Sequence, residues 1–432
     1  MSALAALVER IASGLVARRD RLPKVLTGLI DEVAKNPDGR AARLAARLLG
    51  GADRSRIPPP TTPPGTPIRV YIGPTNYAGQ GFRWARALEA ADDRIGARNM
   101  AIELPGGFAF PADTLVPIAV QTASPSWQAA EFEAVRGFTH VLFEAERPLF
   151  GPLFSRDVAR EIAELERSGI SCAFLCHGTD IRSPRAHRLL DPLSPYFDDP
   201  QAGLLQSDAD ANLALLRSHT LPVFVSTPDL LIDVPEASWC PVVVDVDAWA
   251  GGREVLGGEM PGREMPGREM PGREMSGRAV PVVVHLPSMG PTKGTHLIEP
   301  VLRRLDAQGV IEYRGMTGIP ADRMPSVIGD ADIVLDQFRI GSYGVAAVEA
   351  MAAGRIVVGH VLPTVRESVR ELTGRELPVV EADPTTLERV LLDLIANPDR
   401  SRAAALEGVD FVHDVHSGAR SAAVLRERWI SR

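Results

Sequence analysis

Asp332-Ile-Val-Leu-Asp-Gln-Phe-Arg-Ile-Gly-Ser-Tyr-Gly-Val-Ala-Ala-Val-Glu-Ala-Met-Ala-Ala-Gly354 is the stretch from which the rest of the chain is best read. A short apolar run ends near Asp336, a glycine-bearing loop follows, and apolar residues at helical spacing resume near Val345. Strand, glycine loop and helix in that order can form a ligand site. The strand delivers its carboxyl end to the loop, and the helix offers unbonded amides and the positive end of its dipole. Gly341 and Gly344 let backbone approach a ligand closely, and the amides near Tyr343 and Gly344 suit a pyrophosphate. Glu349 lies one turn into the helix, where its carboxylate could accept hydrogen bonds from ribose hydroxyls; a surface or capping carboxylate is the plainer reading.

The same alternation extends in both directions. A series beginning at Pro281 places strands at Val282–Leu286, Val310–Tyr313, Ile333–Leu335 and Ile356–Val358, with a helix over Gly294–Ala307. An earlier series places strands at Arg69–Gly73, Thr139–Phe143, Ser171–Cys176, Pro222–Ser226 and Pro241–Val244, with a helical run over Ser155–Ser168. Strands alternating with helices imply parallel βαβ units. Two such series predict an α/β chain with two Rossmann-like domains facing across a cleft, over 68–250 and 280–398, and the ligand at the carboxyl ends of the strands.

Between the series, Glu-Met-Pro-Gly-Arg begins at Glu259, Glu264 and Glu269 and recurs with serine from Glu274. A period of five fits neither helix nor strand, so 251–279 reads as a flexible low-complexity insert. Before the first series, Leu4, Leu7, Val8, Ile11 and Leu15 recur at helical spacing, as do Leu26, Leu29, Ile30 and Val33. A helical accessory segment over 1–56 therefore precedes a stiff Pro-rich linker over 57–67. Its arginines leave peripheral contact with anionic lipid open, although a solvated face is the ordinary meaning of such charges.

The 432 residues exceed what one core usually serves, and a net charge of -8 argues against a general nucleic-acid partner. Cys172, Cys176 and Cys240 form no paired framework, and the first 20 residues are punctuated by charge rather than built as an apolar leader. With no run of 18 apolar residues, the expectation is a cytoplasmic protein. No zinc or serine-hydrolase motif occurs. The bare D-x-D matches at Asp208, Asp245 and Asp330 read as chance in an aspartate-rich chain.

Gly-x-Tyr-Gly-x-x-x-x-Glu-Ala-Met-Ala-x-Gly, over Gly341–Gly354, resembles the donor-site signature of retaining GT-B glycosyltransferases of the family 4 type. That resemblance implies a GT-B fold and transfer of a sugar from a nucleotide diphosphate-sugar to an acceptor, with retention of configuration and without an obligatory metal or other cofactor. In the family an E-x7-E pair contacts the donor. Its second glutamate corresponds to Glu349, while its first would fall at Gly341, so this chain departs from the pattern. Sugar contacts would then come from elsewhere, Asp336 and Gln337 being the candidates. His285-Leu-Pro-Ser-Met-Gly-Pro-Thr-Lys-Gly-Thr-His296 resembles the family's strand-loop segment ending in Lys-Gly. There Lys293, the only lysine after Lys35, would neutralise the donor diphosphate as the leaving group gains charge.

Gly73-Pro-Thr-Asn-Tyr-Ala-Gly-Gln-Gly81 is similar to the family's first glycine loop, and His177-Gly-Thr-Asp-Ile-Arg182 to its His-Gly-Ser/Thr-Asp segment at the cleft. These assign Asn76, Gly79, Gly81 and Asp180 to the acceptor and phosphate loop, and His177 to catalysis beside Lys293. By the same analogy, the helical tail over 399–432 packs back on the N-terminal domain. The resemblance spans roughly Ile68–Gly354. It leaves two other readings open, a nucleotide-sugar 2-epimerase on the same fold and a non-catalytic nucleotide-binding protein. The donor sugar, the base, the acceptor (carbohydrate, lipid or small molecule) and the oligomeric state stay undetermined by sequence.

Overall fold

Near-continuous apolar runs mark strands that are covered on both faces, the signature of parallel sheets in α/β proteins. The computed structural model describes residues 57–75, 77–104, 110–250, 280–287 and 291–432. The helical segment expected over 1–56, the repeat insert expected over 251–279 and Asn76 lie outside the described residues. In Val282-Val-Val-His285 every residue is buried, and Val141, Leu142 and Phe143 are fully inaccessible.

The first sheet comprises β1 (Ile68–Gly73), β2 (Ile95–Glu103), β3 (Thr114–Pro117), β4 (His140–Glu144), β5 (Ser171–Cys176) and β6 (Val223–Val225), in the order β3-β2-β1-β4-β5-β6. Pairs from β3 through β5 are all parallel. A two-residue strand, β7 (Ser238–Trp239), follows β6 in the order. The strand order reverses between β1 and β4, which opens a crevice at their carboxyl ends.

The second sheet comprises β8 (Val282–His285), β9 (Glu312–Gly315), β10 (Ile333–Leu335), β11 (Ile356–Gly359) and β12 (Val380–Glu381), in the order β12-β11-β10-β8-β9. All four pairings are parallel. Here the reversal lies between β8 and β10, whose register sets Leu335 opposite His285. The core beneath it joins Val283, Leu302, Leu335, Phe338 and Leu391. Both sheets thus have the doubly wound α/β topology expected from the alternating pattern.

Contacts divide the chain differently from the sequence reading. One compact unit takes the described residues up to Cys176 with Leu215–Phe224 and Arg426–Arg432, and the other takes His177–Ala214 and Val225–Leu425. The reason is side-chain anchoring: His187 reaches the carbonyl of Ile340, and Arg339 reaches those of Leu193 and Ser194. The tail is likewise split. Helices Pro398–Val415 and Ala419–Leu425 belong to the second unit, where Gly408 lets the longer one approach Met351. Only the last seven residues join the first unit, through Trp429 Nε1 to Ser171 Oγ (2.9 Å) and Arg426 to Asp92 (3.2 Å).

Two further expectations are corrected. Pro241–Val244 is not a strand; its polar backbone bonds to the tail instead, with Val242 O accepting from His416 Nδ1 (2.7 Å) and Pro241 O from Ser421 Oγ (2.8 Å). The Pro-rich run is extended, but it is bound to the first unit. The Thr61 amide donates to Glu131 Oε2 (2.8 Å), whose other oxygen accepts from Tyr71 OH (2.8 Å). A Cβ on Gly96 or Gly137 would strike Pro64 or Pro63 at 2.5 and 2.7 Å. Among the described residues no helix is long and apolar enough to cross a membrane.

Candidate functional site

At the reversal of the second sheet, Lys293 follows β8 and Asp336 follows β10. Lys293 Nζ donates to Asp336 Oδ1 at 2.5 Å, with the two side chains 13% and 2% exposed. Two candidates from the sequence, the phosphate-binding cation and a sugar-contacting carboxylate, therefore bond to each other. Asp336 Oδ2 is buried and has no hydrogen-bond partner among the described residues. His285 locks the strand ends behind them. Burial pushes its pKa down to about 4, so the ring is neutral. Nδ1–H then donates to Leu335 O (2.9 Å), which leaves Nε2 to accept from Thr295 Oγ1 (2.9 Å) at the start of helix Thr295–Ala307.

Several carbonyls of the loop from Gln337 to Gly344 are engaged. Gln337 O accepts from His360 N (2.8 Å), Ile340 O from His187 Nε2 (3.0 Å), Gly341 O from Leu362 N (2.9 Å), and Ser342 O from Gln337 Nε2 (2.6 Å). The Gln337 side chain is thereby a tie within the loop. Helix Val345–Ala352 opens at Gly344 without a side-chain cap, and among the described residues none accepts a hydrogen bond from the amides of Gly344, Val345 or Ala346. These three residues are half-buried, and a Cβ on Gly344 would meet nothing within 4 Å. An uncapped helix start beside open space is suited to an anion. Glu349 is half-buried one turn further on.

Gly341 and Tyr343 play other parts. Gly341 is buried at φ +67°, and a Cβ there would meet Leu362 Cγ at 2.5 Å and Asp191 Oδ2 at 3.4 Å. Its glycine character is thus required by packing, and no ligand need approach it. The Tyr343 ring is buried against Phe411 and His416, so only its backbone remains for a ligand.

His177 and Asp180 come together through local bonds. The Asp180 carboxylate accepts from the amides of His177 (2.7 Å) and Gly178, closing the turn after β5. That is the plain structural role for this aspartate, and the His177 ring is left half-buried. In the first unit, Gly79 begins helix Gln80–Ala91 at φ +67°. Gly81 lets that helix approach the sheet, since a Cβ there would lie 2.4 Å from Asn99 Nδ2 and 3.1 Å from Glu144 Oε2.

Two carboxylates escaped the sequence reading. Glu144 and Glu146 are buried at the carboxyl end of β4, beside the first sheet's reversal. Glu144 accepts from the Thr75 amide (3.2 Å) in the glycine loop, and Glu146 Oε1 from Cys176 Sγ (3.1 Å). Ala145 and Glu146 both hold left-handed backbone, at φ +54° and +52°, where side chains are strained. The signal was present in Phe143-Glu-Ala-Glu-Arg-Pro148, a buried strand ending directly in two acids.

A titrating group sits behind the loop. His360 lies between Asp191 Oδ2 (3.3 Å) and Glu381 Oε1 (2.8 Å), the latter also paired with Arg366. Burial works against the charged ring, but the two carboxylates outweigh it and raise its pKa to about 9. Because the folded value lies above the unfolded one, this stabilisation is complete below about pH 6.5 and is lost as pH rises through about 9. Thermal melts should therefore show the midpoint falling between pH 6.5 and 9.5, with a visibly flatter profile for His360→Gln. Parallel profiles for the two proteins would refute the assignment.

No family model matches this chain, and neither does any curated protein. Among solved structures it is similar to HepE of Anabaena in complex with UDP and glucose, at 13% identity and TM-score 0.49, covering 83% of this chain and 98% of that one. It is similar also to sucrose-phosphate synthase of Thermosynechococcus elongatus, at 12% identity and TM-score 0.48, over 83% and 97%. WaaG, a glycosyltransferase involved in lipopolysaccharide biosynthesis, is similar at 13% identity and TM-score 0.46, over 83% and 99%. Likenesses this distant do not fix an activity.

Proposed function

We propose that the chain is a glycosyltransferase that moves a sugar from a nucleotide diphosphate-sugar to an acceptor, with retention of anomeric configuration and without an obligatory metal. The observation that carries this reading is the placement of Lys293 and Asp336 at the reversal of the second sheet, where ligands of doubly wound folds bind. The available amides of Gly344–Ala346 supply the second element, a seat for the diphosphate.

In this mechanism the diphosphate rests on those amides and Glu349 holds the ribose. Lys293 turns one of its remaining N–H groups to the phosphate oxygen that gains charge as the glycosidic bond breaks. Asp336, still bonded to Lys293, keeps the ammonium in place. The acceptor would lie near His177. A second reading, nucleotide binding without transfer, is favoured by one observation: the space of the family's first glutamate is filled at Gly341 by Leu362 and Asp191.

Calorimetric titration with UDP, GDP, ADP and TDP tests the donor site, with Glu349→Ala as control. One nucleotide should bind in the micromolar range, and the substitution should weaken it at least tenfold, the scale of lost hydrogen bonds to a charged group. Failure of all four to bind folded protein would remove the basis of the proposal. Binding without transfer or hydrolysis of the matching sugar donors would favour the second reading.

A further inference from the structure

A buried relay ties the candidate donor loop to the segment that begins at His177. Asp229 is its centre. Its Oδ2 accepts from Arg182 Nε (3.0 Å) and Nη2 (2.6 Å), and its Oδ1 accepts from Ser342 Oγ (2.6 Å). Asp229, Arg182 and Ser342 are only 5%, 9% and 2% exposed. Burial alone would push the Asp229 carboxyl up, yet the guanidinium and the serine hydroxyl hold it low and charged. A buried ion pair seldom adds net stability, because desolvation consumes most of its attraction; what it does impose is geometry.

That geometry lies next to the helix start. Ser342 stands two residues before Gly344, and its hydroxyl is the loop's one side-chain bond to Asp229. Arg182 closes the segment His177-Gly-Thr-Asp-Ile-Arg182, whose turn is fixed by Asp180. A change in the position of either segment must therefore be felt at the other through Asp229.

We propose that Asp229 is a positioning residue of the donor site, holding the loop so that the amides of Gly344–Ala346 face the diphosphate and coupling that loop to the His177–Arg182 segment. The inference rests on the donor-site reading given above. Without the relay the loop samples other positions, and apparent affinity falls by the fraction of time it spends in the binding position.

The test uses the full chain, the variants Ser342→Ala and Asp229→Asn, and the same four nucleoside diphosphates, titrated where circular dichroism shows each protein fully folded. The expected result is roughly tenfold weaker binding in both variants, corresponding to a loop in position about a tenth of the time. A merely structural role would lower the melting midpoint and leave the affinity of folded protein unchanged, which overturns the proposal. Should Asp229→Asn not fold, Ser342→Ala, which removes a single hydroxyl, decides alone. If the unaltered chain binds none of the four, the donor-site reading fails and takes this inference with it. If it binds one and the variants match it, only the inference fails.

Discussion

Lys293→Ala should lower turnover by ~10²-fold or more, the scale of losing one preorganised contact to developing charge. With a donor identified by titration, kcat and kcat/KM should fall together, as they do when the lost contact exists only in the transition state. The same substitution has a second consequence, because Asp336 is only 2% exposed on its side chain and Lys293 is its ion-pair partner. Removing one member of a buried pair strands the other, at a cost of about 3–5 kcal/mol. Activity and stability would then fall together for different reasons, and the double variant Lys293→Ala, Asp336→Asn separates them. It leaves no buried charge unpaired, so denaturant melts should recover most of the lost stability while turnover stays low. Recovery of turnover along with stability would reduce Lys293 to a structural partner of Asp336.

This pair also shows what sequence could and could not say. Lys293 stood out as a rare lysine before a helix, and Asp336 as the polar end of an apolar run. Their bond joins residues 43 positions apart, and only the parallel register of β8 and β10 brings them together. β10 and the helix after it were legible because glycines punctuate the change from strand to helix. β2 was not, since Ile95-Gly-Ala-Arg-Asn-Met-Ala-Ile-Glu103 interrupts its apolar residues with arginine and asparagine. Asn99 is nevertheless buried, its side chain donating to Ile72 O (3.2 Å) and its amide to Asp113 Oδ2 (2.9 Å). Those partners are fixed by tertiary structure and leave no local trace. Pro241–Val244 erred in the opposite direction: an apolar run reads as a strand, while its backbone partners, His416 and Ser421, lie more than 170 residues away. Glu144 and Glu146 were passed over because acids after a strand usually face water; here the fold buries both.

A glutamate placed at Gly341, where the donor-site signature this stretch resembles carries one, should damage the protein rather than improve it. Any L side chain at φ +67° carries a conformational cost of about 1–2 kcal/mol. Its Cβ would also lie 2.5 Å from Leu362 Cγ and 2.9 Å from Cδ1, an overpacking cost of roughly 1–3 kcal/mol. Gly341→Ala should therefore lose roughly 2–5 kcal/mol in urea titrations, within the range that marks a specific packing fault. Gly341→Glu should lose more, since it adds a carboxylate beside Asp191, itself only 1% exposed. Leu362→Ala combined with Gly341→Ala resolves the two contributions: space opens, so the steric part is relieved while the backbone cost persists. The alanine substitution should accordingly be less damaging in the Leu362→Ala background than in the natural one, though still unfavourable. If Gly341→Ala leaves stability within about 0.5 kcal/mol of the parent, the loop is not held as described, and the space for a donor-contacting glutamate was never closed.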